Sequence, residues 1–113
     1  MSDQRQISAA FEAFRTEAPD HAAAWMHLVR DLGAASALDE KTHQLAYLAV
    51  LAALRRTNGV PFHVASAIRA GASREEVISA ILVGLPAAGH GVTEVLPQAV
   101  EALNAMPDGS SNP

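Results

Sequence analysis

Residues 58–77 read NGVPFHVASAIRAGASREEV, and this stretch decides the fold. Asn58, Gly59 and Pro61 break whatever precedes them. A run of small apolar residues follows and stops at Gly71, a natural residue just past a helix end, where a left-handed backbone carries no Cβ penalty. Two residues on, Ser73 and Glu76 form the S-x-x-E capping box that opens a helix. The stretch therefore predicts a helix from near Pro61 or Phe62 to Gly71. A tight turn then leads to another helix whose stripe is Val77, Ile78, Ile81, Leu82 and Leu85. One titratable ring, His63, sits at the start of the first of these.

The helical spacing continues outward in both directions. Upstream, Ile7, Phe11 and Phe14 mark a first helix that Pro19 ends. Asp20 is the expected N-cap of a second, carrying Ala24, Trp25, Leu28 and Leu32 and closed by Gly33. Asp39 caps a third helix running to about Arg56, with Leu38 placed as a hydrophobic staple. Residues 45–54, LAYLAVLAAL, are apolar nearly all round, which predicts burial on most sides by the same chain or by a second copy. Downstream, Pro86, Gly89 and Gly91 loosen the chain before a last helix with Val92, Val95, Leu96, Val100 and Leu103. Pro97 predicts a kink or a late start there. No segment alternates with period two for long enough to be a strand. The fold class is an all-α bundle of about five to seven helices. Residues 1–106 form one domain, and 107–113, PDGSSNP, are expected to be a disordered tail.

Composition removes several function classes. The net charge is −4 and the longest basic run is Arg55-Arg56, so nothing matches the footprint that phosphate backbones require, and no nucleic-acid partner is expected. Without cysteine there is no disulfide framework, thiolate metal site or cysteine nucleophile. The start, MSDQRQIS, lacks a basic region followed by an apolar one, so no signal peptide is expected. The ten-residue run 45–54 is too short to span a bilayer. The expected location is cytoplasmic, with no membrane partner. Apolar surface comes mainly from alanine and leucine, since only 4% of the chain is aromatic. Such a core buries little area per residue, and oligomer formation would help it.

Three pieces in order carry a resemblance: LDEKTHQLAYLAVLAAL at 38–54, HVASAIRAGASREEV at 63–77 and ISAILVGLPAAGHG at 78–91. Together they resemble the carboxymuconolactone decarboxylase family, which includes the alkylhydroperoxidase D-like proteins. The match is clearest over 38–103, and the N-terminal third gives no such signal. The resemblance implies an alkylhydroperoxidase D-like helical fold, assembled with copies of itself as a homotrimer or homohexamer. The thiol branch of that family carries C-x-x-C-x-x-x-H and a glutamate one helix earlier. With His63 on the motif's histidine, the cysteine positions fall on Arg56 and Gly59, and the glutamate position on Gln44. Peroxide reduction needs a thiolate and a resolving thiol, so peroxiredoxin-type activity is disfavoured. The decarboxylase branch is the closer match. It implies a cofactor-independent lyase acting on a small carboxylated lactone or organic acid. The alternative is a homologue that kept the scaffold and binds a small molecule or a partner without catalysis.

Site candidates follow, each with a plainer role beside it. His63 is the catalytic candidate, a general acid/base or carboxylate ligand at a helix N-terminus, where the backbone would lower its pKa. Its plainer role is a gap-filling ring satisfied by a backbone carbonyl. Gln44 is a substrate-binding candidate that orients His63 or donates to a carboxylate or enolate; otherwise it is solvated beside Lys41. His90, between Gly89 and Gly91, is a second substrate-binding imidazole or a surface turn histidine. Arg56, with Arg55, binds a carboxylate or simply complements a helix end. Tyr47 lends a hydroxyl or packs in the core. Glu94 orients His90 or sits exposed. His21, Trp25 and His27 are explained by packing, and no metal site is expected from the five histidines.

Overall fold

The computed structural model describes residues 8–106. Every regular element among them is helical: α1 (Ala9–Glu17), α2 (Pro19–Ala35), α3 (Glu40–Ala53), α4 (Val60–Arg69), α5 (Arg74–Leu82), the short α6 (Leu85–Ala88), a 3-10 segment (His90–Val95) and α7 (Leu96–Ala105). The all-α class read from the sequence is the class observed. The tail at 107–113 lies outside the described residues, as does Ile7.

Local chemistry sets most boundaries. Ser8 accepts from the Phe11 N–H and caps α1. Asp39 accepts from the Thr42 N–H at 2.8 Å and caps α3. Both halves of the Ser73–Glu76 capping box form, at 2.9 and 3.0 Å. Gly71 adopts φ 105 after α4. The Gly71 and Ala72 N–H groups then bond back to Ile68 and Ala67, which completes a Schellman motif. Pro97 gives the late start: it stands in the first turn of α7, directly after the 3-10 segment.

Four boundaries differ from expectation, one of them the end of α5, which stops at Leu82 so that Leu85 opens α6. Pro19 opens α2 as well as closing α1, because a first-turn residue needs no N–H partner; Asp20 lies inside that turn and does not cap. α2 passes through Gly33 to Ala35, since a glycine inside a helix weakens it without stopping it. α3 stops at Ala53, three residues short of Arg56. There Arg55 takes the left-handed backbone at φ 57, and the Arg55 and Arg56 N–H groups bond to Ala52 and Leu51. The geometry is again that of the Schellman motif, with an arginine where glycine is usual.

The core joins α3, α4, α5, the 3-10 segment and α7. Leu48, Val60, Val64, Val77, Ile81, Val92 and Val95 are its largest fully enclosed side chains. Valine and alanine dominate, so the helices approach closely and shape, more than bulk, fills the interior. α1 and α2 pack chiefly on each other. Only Ala22 of α2 is buried, while Trp25, Leu28 and Leu32 face outward. α3 is also less enclosed within one chain than its apolar run predicts, for Tyr47, Val50 and Leu54 are exposed. Among the described residues no helix is long and apolar enough to cross a membrane.

Candidate functional site

Two helix starts meet at His63. α3 begins at Asp39, which puts Glu40 in its first turn, Gln44 one turn later and Tyr47 three residues beyond. α4 begins after Gly59 with Pro61 in its first turn, where the missing N–H costs nothing, and His63 follows on the face that meets α3. The imidazole stacks on Tyr47 with centroids 4.2 Å apart and planes 23° from parallel. Phe62 meets its edge at 5.2 Å. His63 Nδ1 and Gln44 Oε1 are 2.8 Å apart. On the far side of the amide, Gln44 Nε2 donates to Glu40 Oε2, also at 2.8 Å. The result is a three-residue chain, Glu40–Gln44–His63, whose middle member is buried at 8% exposure. His63 Nε2 has no partner among the described residues and is not an enclosed orphan, so solvent reaches it.

Burial pushes the His63 pKa down to about 4, and the neighbouring charge of His43 adds to the effect. The direction matches the expectation, but the cause is enclosure by Tyr47, Phe62 and α3 more than the helix N-terminus. The resting imidazole is therefore neutral at pH 7. Its folded pKa lies below the ordinary 6.5, so the unfolded chain binds more protons between pH 6.5 and 4. This contribution to stability is whole above about pH 6.5 and is lost as pH falls toward about 4. Because solvent reaches the ring, the loss is expected to be about 1–2 kcal/mol, less than the full shift implies. Urea midpoints of wild type minus His63→Gln, taken from pH 7 to 4.5, should show the difference shrinking on acidification.

The other candidates are not gathered here. The ring and polar groups in contact with His63 are Gln44, Tyr47 and Phe62, with His43 near enough to act on its charge; neither His90 nor Arg56 is among them. His90 is exposed and opens the 3-10 segment, where the Thr93 hydroxyl donates to its backbone carbonyl. Arg56 is exposed, with no side-chain hydrogen bond or ion pair among the described residues. Arg55 lies across Gly91, where any Cβ would collide with the guanidinium, and its 3.9 Å approach to Glu94 is exposed and weak. Glu94 therefore faces Arg55, and no contact ties it to the His90 ring. Gln44 is bonded at both ends: its oxygen holds the imidazole, as one of its two expected roles requires, and one of its N–H groups goes to Glu40. Tyr47 offers a ring face and stays 40% exposed, so it is not a core residue.

Sequence reasoning passed over Glu40, His43 and Phe62. Glu40 had a visible signal, the i, i+4 spacing to Gln44 on a helix start. A concavity of about 470 Å³ lies between α3 and α5, walled by Leu45, Ala46, Ala49, Ala80 and Val83 with Glu75 and Glu76 at its edge. Those α3 residues stand about half a helical turn away from Gln44 and Tyr47, so the concavity and His63 occupy opposite faces of one helix. Among the described residues no three acidic or histidine side chains form a metal-binding group.

None of the curated proteins and none of the solved structures matches the chain. A family model does match, over residues 19–105, and so reaches back through α2, beyond the 38–103 where the resemblance is clearest. The helices that bring Gln44 to His63 lie wholly inside that span, and the chain belongs to the carboxymuconolactone decarboxylase family.

Proposed function

We propose that the protein is a cofactor-independent lyase that removes carbon dioxide from a small carboxylated lactone or organic acid at His63. The observation that carries this reading is a neutral, half-buried imidazole with one nitrogen held by Gln44 and the other open to solvent. Decarboxylation leaves the bonding pair on carbon, which must then be protonated. The un-ionised acid gives its proton to the neutral His63, and the imidazolium returns it to carbon as carbon dioxide leaves, so no proton is gained or lost overall. Its pKa of about 4 lies close to that of ordinary carboxylic acids, so the exchange is nearly balanced in both directions. Thiol chemistry has no nucleophile in this chain. Copies of the chain associate in this proposal as a homotrimer or homohexamer, covering Trp25, Leu28 and Leu32 of α2, and work in the cytoplasm.

A second reading, a non-catalytic small-molecule-binding homologue, is favoured by one observation: a concavity of about 470 Å³ lies on the face of α3 away from His63. A thermal-shift panel of carboxylic acids and lactones on wild type and His63→Ala separates the two. A ligand at a hundredfold excess over its Kd stabilises the native state by about 2.7 kcal/mol. A shift present in wild type and lost in the variant supports the lyase. A shift that survives in the variant places the ligand elsewhere and favours the binding homologue.

A further inference from the structure

We infer that Glu40 is a positioning residue for His63: by holding the Gln44 amide in one orientation, it keeps the imidazole proton on Nδ1 and leaves Nε2 to accept from a ligand group that carries a proton. The argument is one of donor and acceptor inventory. An ionised carboxylate only accepts, so the Glu40 side must face the Gln44 NH₂ group. The Gln44 oxygen is then the atom that faces His63, 2.8 Å from Nδ1. A carbonyl oxygen also only accepts, so Nδ1 must donate. In a neutral imidazole that leaves the lone pair on Nε2, the nitrogen that solvent reaches. Burial of the middle amide makes the orientation matter: a flipped Gln44 would set its oxygen against the Glu40 carboxylate, acceptor to acceptor, and would turn its NH₂ to His63, where Nδ1 would have to accept and the ring proton would move to Nε2. The ligand class follows: an un-ionised carboxyl or an enol hydroxyl fits the open nitrogen, and a bare carboxylate does not.

The inference concerns the site used in the proposed reaction and rests on that reading only for its effect on turnover. Its test needs no substrate. Long-range ¹H–¹⁵N spectra of the histidine rings near pH 7 report which nitrogen of His63 is protonated in wild type, Glu40→Gln and Glu40→Ala. Glu40 is exposed, so neither variant removes packing, and melting curves check this. An amide at position 40 donates as well as accepts, so both orientations of Gln44 become allowed. The wild type should show the Nδ1–H form in large excess, and Glu40→Gln should reduce that excess about tenfold, the difference between a charge-assisted and a neutral hydrogen bond. A wild-type ring protonated on Nε2, or a tautomer ratio the same in all three proteins, overturns the inference. The expected spectra without turnover on any lactone acid would retire the lyase reading alone; turnover with an unmoved tautomer would retire the inference alone.

Discussion

Replacing His63 with alanine is expected to lower turnover of a carboxylated lactone by about 10²–10⁴-fold, the usual contribution of a positioned acid–base group. The loss should fall on kcat and on KM, because the imidazole accepts from the bound ligand and also moves a proton as carbon dioxide departs. The pH profile adds a second signature. The neutral ring is the working form, so kcat/KM should climb as pH rises through about 4 and stay flat toward neutrality on that limb. A histidine with an ordinary pKa would put the rise near 6.5. Full turnover in His63→Ala would remove the proposed mechanism, and matched far-ultraviolet spectra of the two proteins would show that folding is not the cause.

Leu48→Ala should cost about 2–5 kcal/mol of stability, the range for a large-to-small change in a closed core. Leu48 is fully enclosed on α3 and shares its core with Val64 and Ile81 from the two neighbouring helices. It also stands one turn beyond Gln44, on the face that carries the chain to His63. The cavity should therefore loosen the site as well as the fold. Chemical denaturation should show a lower midpoint with a nearly unchanged slope. A change below about 0.5 kcal/mol would mean that the core tolerates collapse there.

Much of the fold was legible because its signals are local. Asp39, Ser73 with Glu76, Gly71 and Pro97 each act within one helical turn, and each does what its position predicts. The end of α3 was not legible for the same reason in reverse. Arg55 takes a conformation that glycine usually announces, and what faces its side chain is Gly91, far along the chain. The site divides in the same way. Gln44 and His63 could be named as candidates from the sequence, but their pairing spans 19 positions and depends on how α3 rolls against α4. That roll was hidden because residues 45–54 are apolar on nearly every side, so no stripe marks which face meets which neighbour. The same ambiguity hid the concavity on the opposite face of α3.

The way α4 packs on α7, and α3 on the 3-10 segment, has a consequence for synthesis on the ribosome. The chain emerges from its N-terminus, so Gln44 and His63 leave the exit tunnel well before Val92, Val95, Ala99 and Leu103, which close the core beneath them. Until those residues arrive, the two helices that hold the ring have apolar faces and nothing to bury them against. The nascent chain must wait, with Gln44 and His63 already in solvent and not yet held together, for α7 to be made.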